Sequence, residues 1–259
     1  MNRIRKVFEN GKAFIGFLTG GDPNIEKSEE FIGKMIDAGC DLVEIGIPFS
    51  DPIAEGPVIQ AADLRALSAH TTTDDIFKLA SRVRSKYADT PLVVMTYLNP
   101  VFKYGYERFF ENCKKNGIDG IIVPDMPFEE KGELRELAKE NGVAVISMIA
   151  PTSEERIRAI AEDADENGFL YVVSSMGVTG VRSEIKTDLA SIMQAVRAAT
   201  DIPAAIGFGI NTPQQAARMA GLADGVIVGS AIVRLAEQYG EKAGDAIFEY
   251  VKSMKDAIR

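Results

Sequence analysis

Eight short apolar runs recur along this chain, each followed by residues at helical spacing, and that alternation limits the possible folds more than any other feature. The runs are AFIGFLT from Ala13, DLVEIGI from Asp41, PLVVMTY from Pro91, IDGIIVP from Ile118, VAVISMIA from Val143, GFLYVVSS from Gly168, IPAAIGFG from Ile202 and ADGVIVGS from Ala223. Strand and helix in strict alternation predict a parallel sheet. Eight repeats favour its closure into a (β/α)8 TIM barrel over a doubly wound open sheet.

Local signals support the helices between the runs. Ile32, Met35 and Ile36 form one apolar stripe, with Gly39 placed as a C-cap. Further helices are predicted over Tyr106 to Lys115, Glu129 to Asn141 and Ser153 to Ala164, the last opened by Thr152 and Ser153 with Glu154 and Glu155 in its first turn. VIQAADLRALSA, from Val58, reads as a helix inserted after the second strand, and helical patterns follow the eighth strand through Gly244 to Ile258. LNPVF, from Leu98 to Phe102, reads as an unusually apolar loop. The expected architecture is therefore an α/β barrel with an extra N-terminal helix and extra helices after strands two and eight. No linker or composition shift divides residues 1–259, so one domain is expected.

Charge narrows the partners. A net charge of −9 and a pI near 4.9 argue against broad binding to nucleic acid or an anionic membrane. Cys40 and Cys113 match neither a metal pair nor a disulfide framework. MNRIRKVFEN has no apolar segment behind its charges, so it reads as a short amphipathic helix and not a signal peptide, which suits a cytoplasmic protein.

In a barrel of this kind the chemistry lies where strands end. Alternation puts Leu42, Glu44 and Gly46 on one face of the second strand and Val43 and Ile45 on the other. If Val43 and Ile45 meet the helices, Glu44 enters the lumen, where desolvation raises a carboxyl towards neutral pH and suits it to proton transfer. A structural Glu paired with a hidden cation is the alternative. The single histidine, His70, falls at a helix end, leaving acid/base work to other groups: Asp51, Glu55, Asp125, Tyr97 and Tyr171 also fall near strand ends. Asp51 and Asp125 sit beside prolines and read better as turn caps, and Tyr171 as barrel packing. Three glycine loops, SSMGVTG, IGFGI and VGS, follow strands six, seven and eight. A helix opening at Gly229 and Ser230 would aim its donors at an anion, the expected place for phosphate in such a barrel.

With these residues assembled, the chain resembles the tryptophan synthase α-subunit family over its whole length. The specific segment is EIGIPFSDPIAEGPVIQ, supported by TGGDP at Asp22, PDMP at Asp125, GVTG ending at Gly180, GFGI at Phe208 and GSAIV from Gly229. The resemblance implies a lyase of tryptophan biosynthesis that cleaves indole-3-glycerol phosphate by a retro-aldol reaction to indole and glyceraldehyde 3-phosphate. It implies Glu44 as the acid/base group and Glu55 as the anion near the indole nitrogen. The family motif has Asp where this chain has Glu55, one methylene longer. By the same resemblance Phe17, Ile59, Tyr171 and Phe208 surround the indole, and Gly180, Gly209, Gly229 and Ser230 hold the phosphate. Thr179 belongs to a lid. A pyridoxal-phosphate-bearing β subunit is the implied partner in an α2β2 heterotetramer, with Asp51, Pro52, Asn99 and Pro127 at the contact and no cofactor or metal on this chain. Two rivals stay open: another phosphate-binding barrel enzyme, such as a sugar-phosphate isomerase or epimerase, and a mainly regulatory, poorly catalytic subunit.

Overall fold

Each apolar run forms strand in the computed structural model, which describes residues 3–174 and 188–259. In chain order the strands are β1 (Ala13–Thr19), β2 (Leu42–Gly46), β3 (Leu92–Met95), β4 (Gly120–Ile122), β5 (Ala144–Val145), β6 (Ser147–Ile149), β7 (Leu170–Val173), β8 (Ala204–Gly207) and β9 (Gly225–Val228). All pair in parallel, in the order β5-β4-β3-β2-β1-β9-β8-β7-β6. The two ends of that order are consecutive pieces of the one run VAVISMIA, so the barrel closes through a single strand.

The lower piece pairs with β4, setting Ala144 opposite Gly120, and the upper with β7, setting Met148 opposite Tyr171. Ile146 lies at the switch and donates its N–H to the Ile121 carbonyl at 2.9 Å. Ala144 and Ile146 face the lumen while Val145 and Ile149 face the helices, so side-chain alternation passes through the switch unbroken. Strand five of the sequence is thus one strand with two successive partners, which is why nine segments stand among the described residues where eight were expected.

The helices are α1 (Arg3–Val7), α2 (Ile25–Asp37), α3 (Pro57–Ser68), α4 (Thr73–Lys86), α5 (Leu98–Tyr104), α6 (Tyr106–Lys115), α7 (Gly132–Glu140), α8 (Glu154–Glu162), α9 (Leu189–Ala199), α10 (Pro213–Ala220), α11 (Ser230–Tyr239) and α12 (Gly244–Asp256). Asn24 caps α2 by accepting the Lys27 N–H, and Gly39 beyond its end has φ +102°, the left-handed conformation expected there. Ser153 caps α8 through the Arg156 N–H.

After β2 the regular barrel helix follows the insertion as expected, and after β3 one stretch departs from expectation. A capping box of Thr72 and Asp75 opens α4 directly after the inserted helix. LNPVF is not a loop but the start of α5, because Asp125 reaches over from the loop after β4 and accepts the Leu98 N–H at 2.9 Å while Val101 is fully buried. Tertiary contacts supply the cap and the apolar face that the local sequence lacks.

Two cores result. One lies between strands and helices and includes Phe14, Val43, Ile45 and Val94. The other fills the lumen with Ile15, Leu42, Val93, Ile122 and Ile227. The N-terminal helix plugs the floor, placing Ile4 in the lumenal core and Phe8 against Phe169 at 5.8 Å. Asp119 ties that floor together by accepting Arg3 at 2.8 Å, Arg84 at 2.7 Å and the Leu92 N–H at 2.9 Å.

Candidate active site

Parallel register sets Phe17 of β1 opposite Glu44 of β2, and Glu44 opposite Val93 of β3. Val43 and Ile45 do pack outward, so the Glu44 carboxyl enters the lumen as the alternation requires. It is fully buried, and neither of its oxygens has a hydrogen-bond partner among the described residues. An ion-paired structural role therefore has no support among those residues. Burial first, then the nearby Glu55 charge, push its carboxyl up from 4.5 to about 8. At neutral pH it is a proton-bearing acid.

The loop after β2 returns to bring Glu55 to the same space, where it is 6% exposed. Three contacts fix that loop: Ile47 N–H to the Met95 carbonyl at 2.9 Å, Ala54 N–H to the Tyr97 hydroxyl at 2.9 Å, and the Gln60 amide to the Glu55 carbonyl at 2.7 Å. Phe49 rests against Tyr97 with ring centroids 5.5 Å apart.

Phe17, Glu44, Glu55, Ile59, Tyr171, Phe208, Gly209, Gly229 and Ser230 line one cleft of about 610 Å³, its open mouth included. Nine of the residues singled out from sequence thus meet around one concave space, apolar for the most part with a few polar groups, as small-molecule sites are. Tyr171 and Phe208 meet edge to face, centroids 6.1 Å apart at 82°. Phe208 has φ +74°, a conformation bulky side chains rarely adopt, and Gly209 follows at +79°. Close packing explains Gly207, where a Cβ would lie 2.6 Å from the Tyr171 hydroxyl oxygen. Burial, then Glu44 and Glu55, hold the Tyr171 phenol well above its usual range, so it stays neutral.

In the same cleft wall α11 begins, with Gly229 close against Phe17. The Ile232 and Val233 N–H groups fold back to the Gly229 carbonyl at 2.8 and 3.1 Å, while Ser230 and Ala231 form the first turn against the cleft. A helix N-terminus of this kind favours an anion. The cleft therefore combines acidic and aromatic walls with a helix start built for negative charge.

Other candidates lie elsewhere. Asp51, Asn99 and Pro127 are exposed at the rim and Pro52 is half-buried. Asp125 is a cap, though of the distant α5 and not of its own turn, and no part of the cleft; His70 is exposed past the end of α3. Cys40 and Cys113 are buried free thiols. Thr179 and Gly180 lie outside the described residues. Sequence reasoning passed over Met95, Met148 and Ile227, which also line the cleft. Their signal was the lumen-facing alternation that identified Glu44, and each read as ordinary core.

A closed parallel barrel with a buried acid at a strand end and an anion-favouring helix after the last strand defines an enzyme of the TIM-barrel class. The family model described as tryptophan synthase alpha chain matches residues 4–259. This chain belongs to that family and is an enzyme subunit. It is 49% identical over 259 residues to the tryptophan synthase alpha chain of Lactiplantibacillus plantarum, covering 100% of this chain and 97% of that one. Among solved structures, the alpha chain from Legionella pneumophila superposes with a TM-score of 0.89 at 35% identity, covering 100% of this chain and 97% of that one. A chain of the tryptophan synthase complex from Pyrococcus furiosus gives 0.85 at 31% identity, covering 95% and 99%.

Proposed function

We propose that this chain is a carbon–carbon lyase that cleaves indole-3-glycerol phosphate to indole and glyceraldehyde 3-phosphate, within tryptophan biosynthesis. The observation that carries this reading is the buried Glu44 carboxyl, without a partner among the described residues, in a cleft with aromatic walls and an anion-favouring helix start. Glu44, protonated at neutral pH, gives its proton to indole C3. Positive charge then develops at the indole nitrogen, where the Glu55 carboxylate stabilises it. The Glu44 carboxylate so formed takes the proton of the glycerol hydroxyl. The carbon–carbon bond breaks as the aldehyde carbonyl forms, and its electrons return to the ring. Glu44 ends as it began, so the cycle needs no outside proton.

Phe17, Ile59, Tyr171 and Phe208 hold the indole, and Gly209, Gly229 and Ser230 hold the phosphate. Gly180 joins them, and Thr179 belongs to a lid, by family resemblance alone. The partner is a pyridoxal-phosphate-bearing β subunit in an α2β2 assembly, docked where Asp51, Pro52, Asn99 and Pro127 ring the mouth. The exposed apolar side chains Ile53 and Phe102 nearby support a contact there, and relatives occur in tryptophan synthase complexes. No cofactor is proposed on this chain. Free indole released from indole-3-glycerol phosphate, and lost in Glu44→Gln, is the expected result. Full activity in that variant overturns the reading, and turnover of a sugar phosphate in its place favours the isomerase alternative.

A further inference from the structure

Four cleft residues, Phe17, Glu55, Ile59 and Met95, also wall a second, smaller cavity whose other walls include Asp63, Thr96 and Tyr97. It spans about 240 Å³ where the cleft spans about 610 Å³, and only about 10 Å³ of it is free for the centre of a water, the room of one molecule. The polar groups around it are suited to holding one. Thr96 is 1% exposed, and its hydroxyl has no partner among the described residues. Tyr97 accepts the Ala54 N–H and so keeps its own hydroxyl proton to donate. Asp63 is 6% exposed and lies one helical turn beyond Ile59 on α3, so both face the same way. Its carboxylate accepts the Phe49 N–H from the loop that carries Glu55.

We propose that Asp63 is a positioning residue for Glu55: its carboxyl, with one internal water shared with Thr96 and Tyr97, hydrogen-bonds to the Glu55 side chain and fixes it against the cleft. This rests on the reading of Glu55 as the anion at the indole nitrogen. The charged groups facing Asp63 are Glu55 before α3 and Asp22 after β1. Arg65, on the same helix, is engaged with Asp22 at 2.8 Å through two nitrogens and with Glu237 of α11 at 3.3 Å. Tyr97, after β3, is the remaining titratable neighbour. Burial first, then Glu55 and Asp22, push the Asp63 carboxyl up to about 8. At neutral pH it is a donor beside a second acid, the arrangement in which two carboxyls share a proton.

The test compares Asp63→Leu and Asp63→Asn in the full chain with its partner subunit, assaying indole release from pH 6 to 9.5. Asp63→Leu is expected to lower kcat about tenfold or more while KM moves little, and Asp63→Asn, which keeps a donor, to recover most of it. Above about pH 8 the parent should lose activity through two ionisations, Glu44 and Asp63, giving a limiting slope of two in log kcat against pH. Asp63→Asn should reduce that slope to one. A folded Asp63→Leu with parental kcat, or an unchanged slope in Asp63→Asn, overturns the proposal. Carboxyl carbon NMR of Asp63 reads the same link without turnover: Glu55→Gln should lower its titration midpoint by about one pH unit, and no movement overturns the link. A parent that titrates this way but releases no indole would instead refute the assigned reaction.

Discussion

Glu44→Gln should destroy activity and make the protein more stable, the more so as pH rises. The native Glu44 carboxyl titrates at about 8 against 4.5 when free, a span of about 3.5 on the pH scale. Between those values the folded chain holds a proton that the unfolded chain has released, so raising the pH favours unfolding. At about 1.4 kcal/mol per pH unit the full cost is about 5 kcal/mol, of which about 2 is lost by pH 6 and about 3 between pH 6 and 9. The side chain is fully buried, so solvent screening does not reduce this figure. Gln cannot ionise and escapes the penalty. The stability of Glu44→Gln relative to the parent should therefore grow by about 3 kcal/mol from pH 6 to pH 9, or about 6–12 °C in Tm. Thermal unfolding followed by circular dichroism at the two pH values measures it, and indole release should fall at least about a hundredfold in the same variant. An identical Tm difference at both pH values would refute the claim that Glu44 is held protonated by burial.

Three further substitutions test other parts of the molecule. Glu55→Gln should lower turnover strongly and move the alkaline loss of activity to lower pH, because one of the two causes raising Glu44 is gone, whereas Glu55→Asp should keep much of the rate; a fully active Gln variant removes Glu55 from the mechanism. Gly207→Ala puts a methyl 2.6 Å from the Tyr171 hydroxyl oxygen and should cost about 1–3 kcal/mol with a raised KM, so a parental KM and Tm would show that the ring yields freely. Arg65→Ala strands Asp22, which is 1% exposed, and should cost about 3–5 kcal/mol in urea unfolding; a loss under about 1 kcal/mol would mean the fork adds nothing.

The barrel was legible because its signal is local: apolar runs, caps and glycines repeat in a fixed order, and a period of two along DLVEIGI suffices to send Glu44 inward. What escaped notice depends on residues distant in sequence. The α5 helix is capped by Asp125, 27 positions away. Met95 and Met148 carry no chemistry of their own and become cleft walls only when strands curve around a common space. Asp63 reads from sequence as an unremarkable polar residue in the inserted helix, and only the fold sets it at one cavity with Glu55, Thr96 and Tyr97. The family resemblance carried the roles of the cleft residues further than spacing could, yet it gave no hint of that third acid.

The divided strand has a mechanical consequence. Elsewhere in the barrel a strand is gripped from both sides along much of its length, so its two ladders bear load in parallel. Along VAVISMIA the two ladders are joined in series, one below Ile146 and one above. A rotation at that single residue would tilt the upper rung, with Met148 at the cleft wall, without unseating the lower rung from β4. The floor, clamped by Asp119 between Arg3 and Arg84, belongs to the lower ladder, so displacing the upper rung would cost its pairing with β7 and the packing of the buried Ile149 among the helices, and would leave the floor's ties intact.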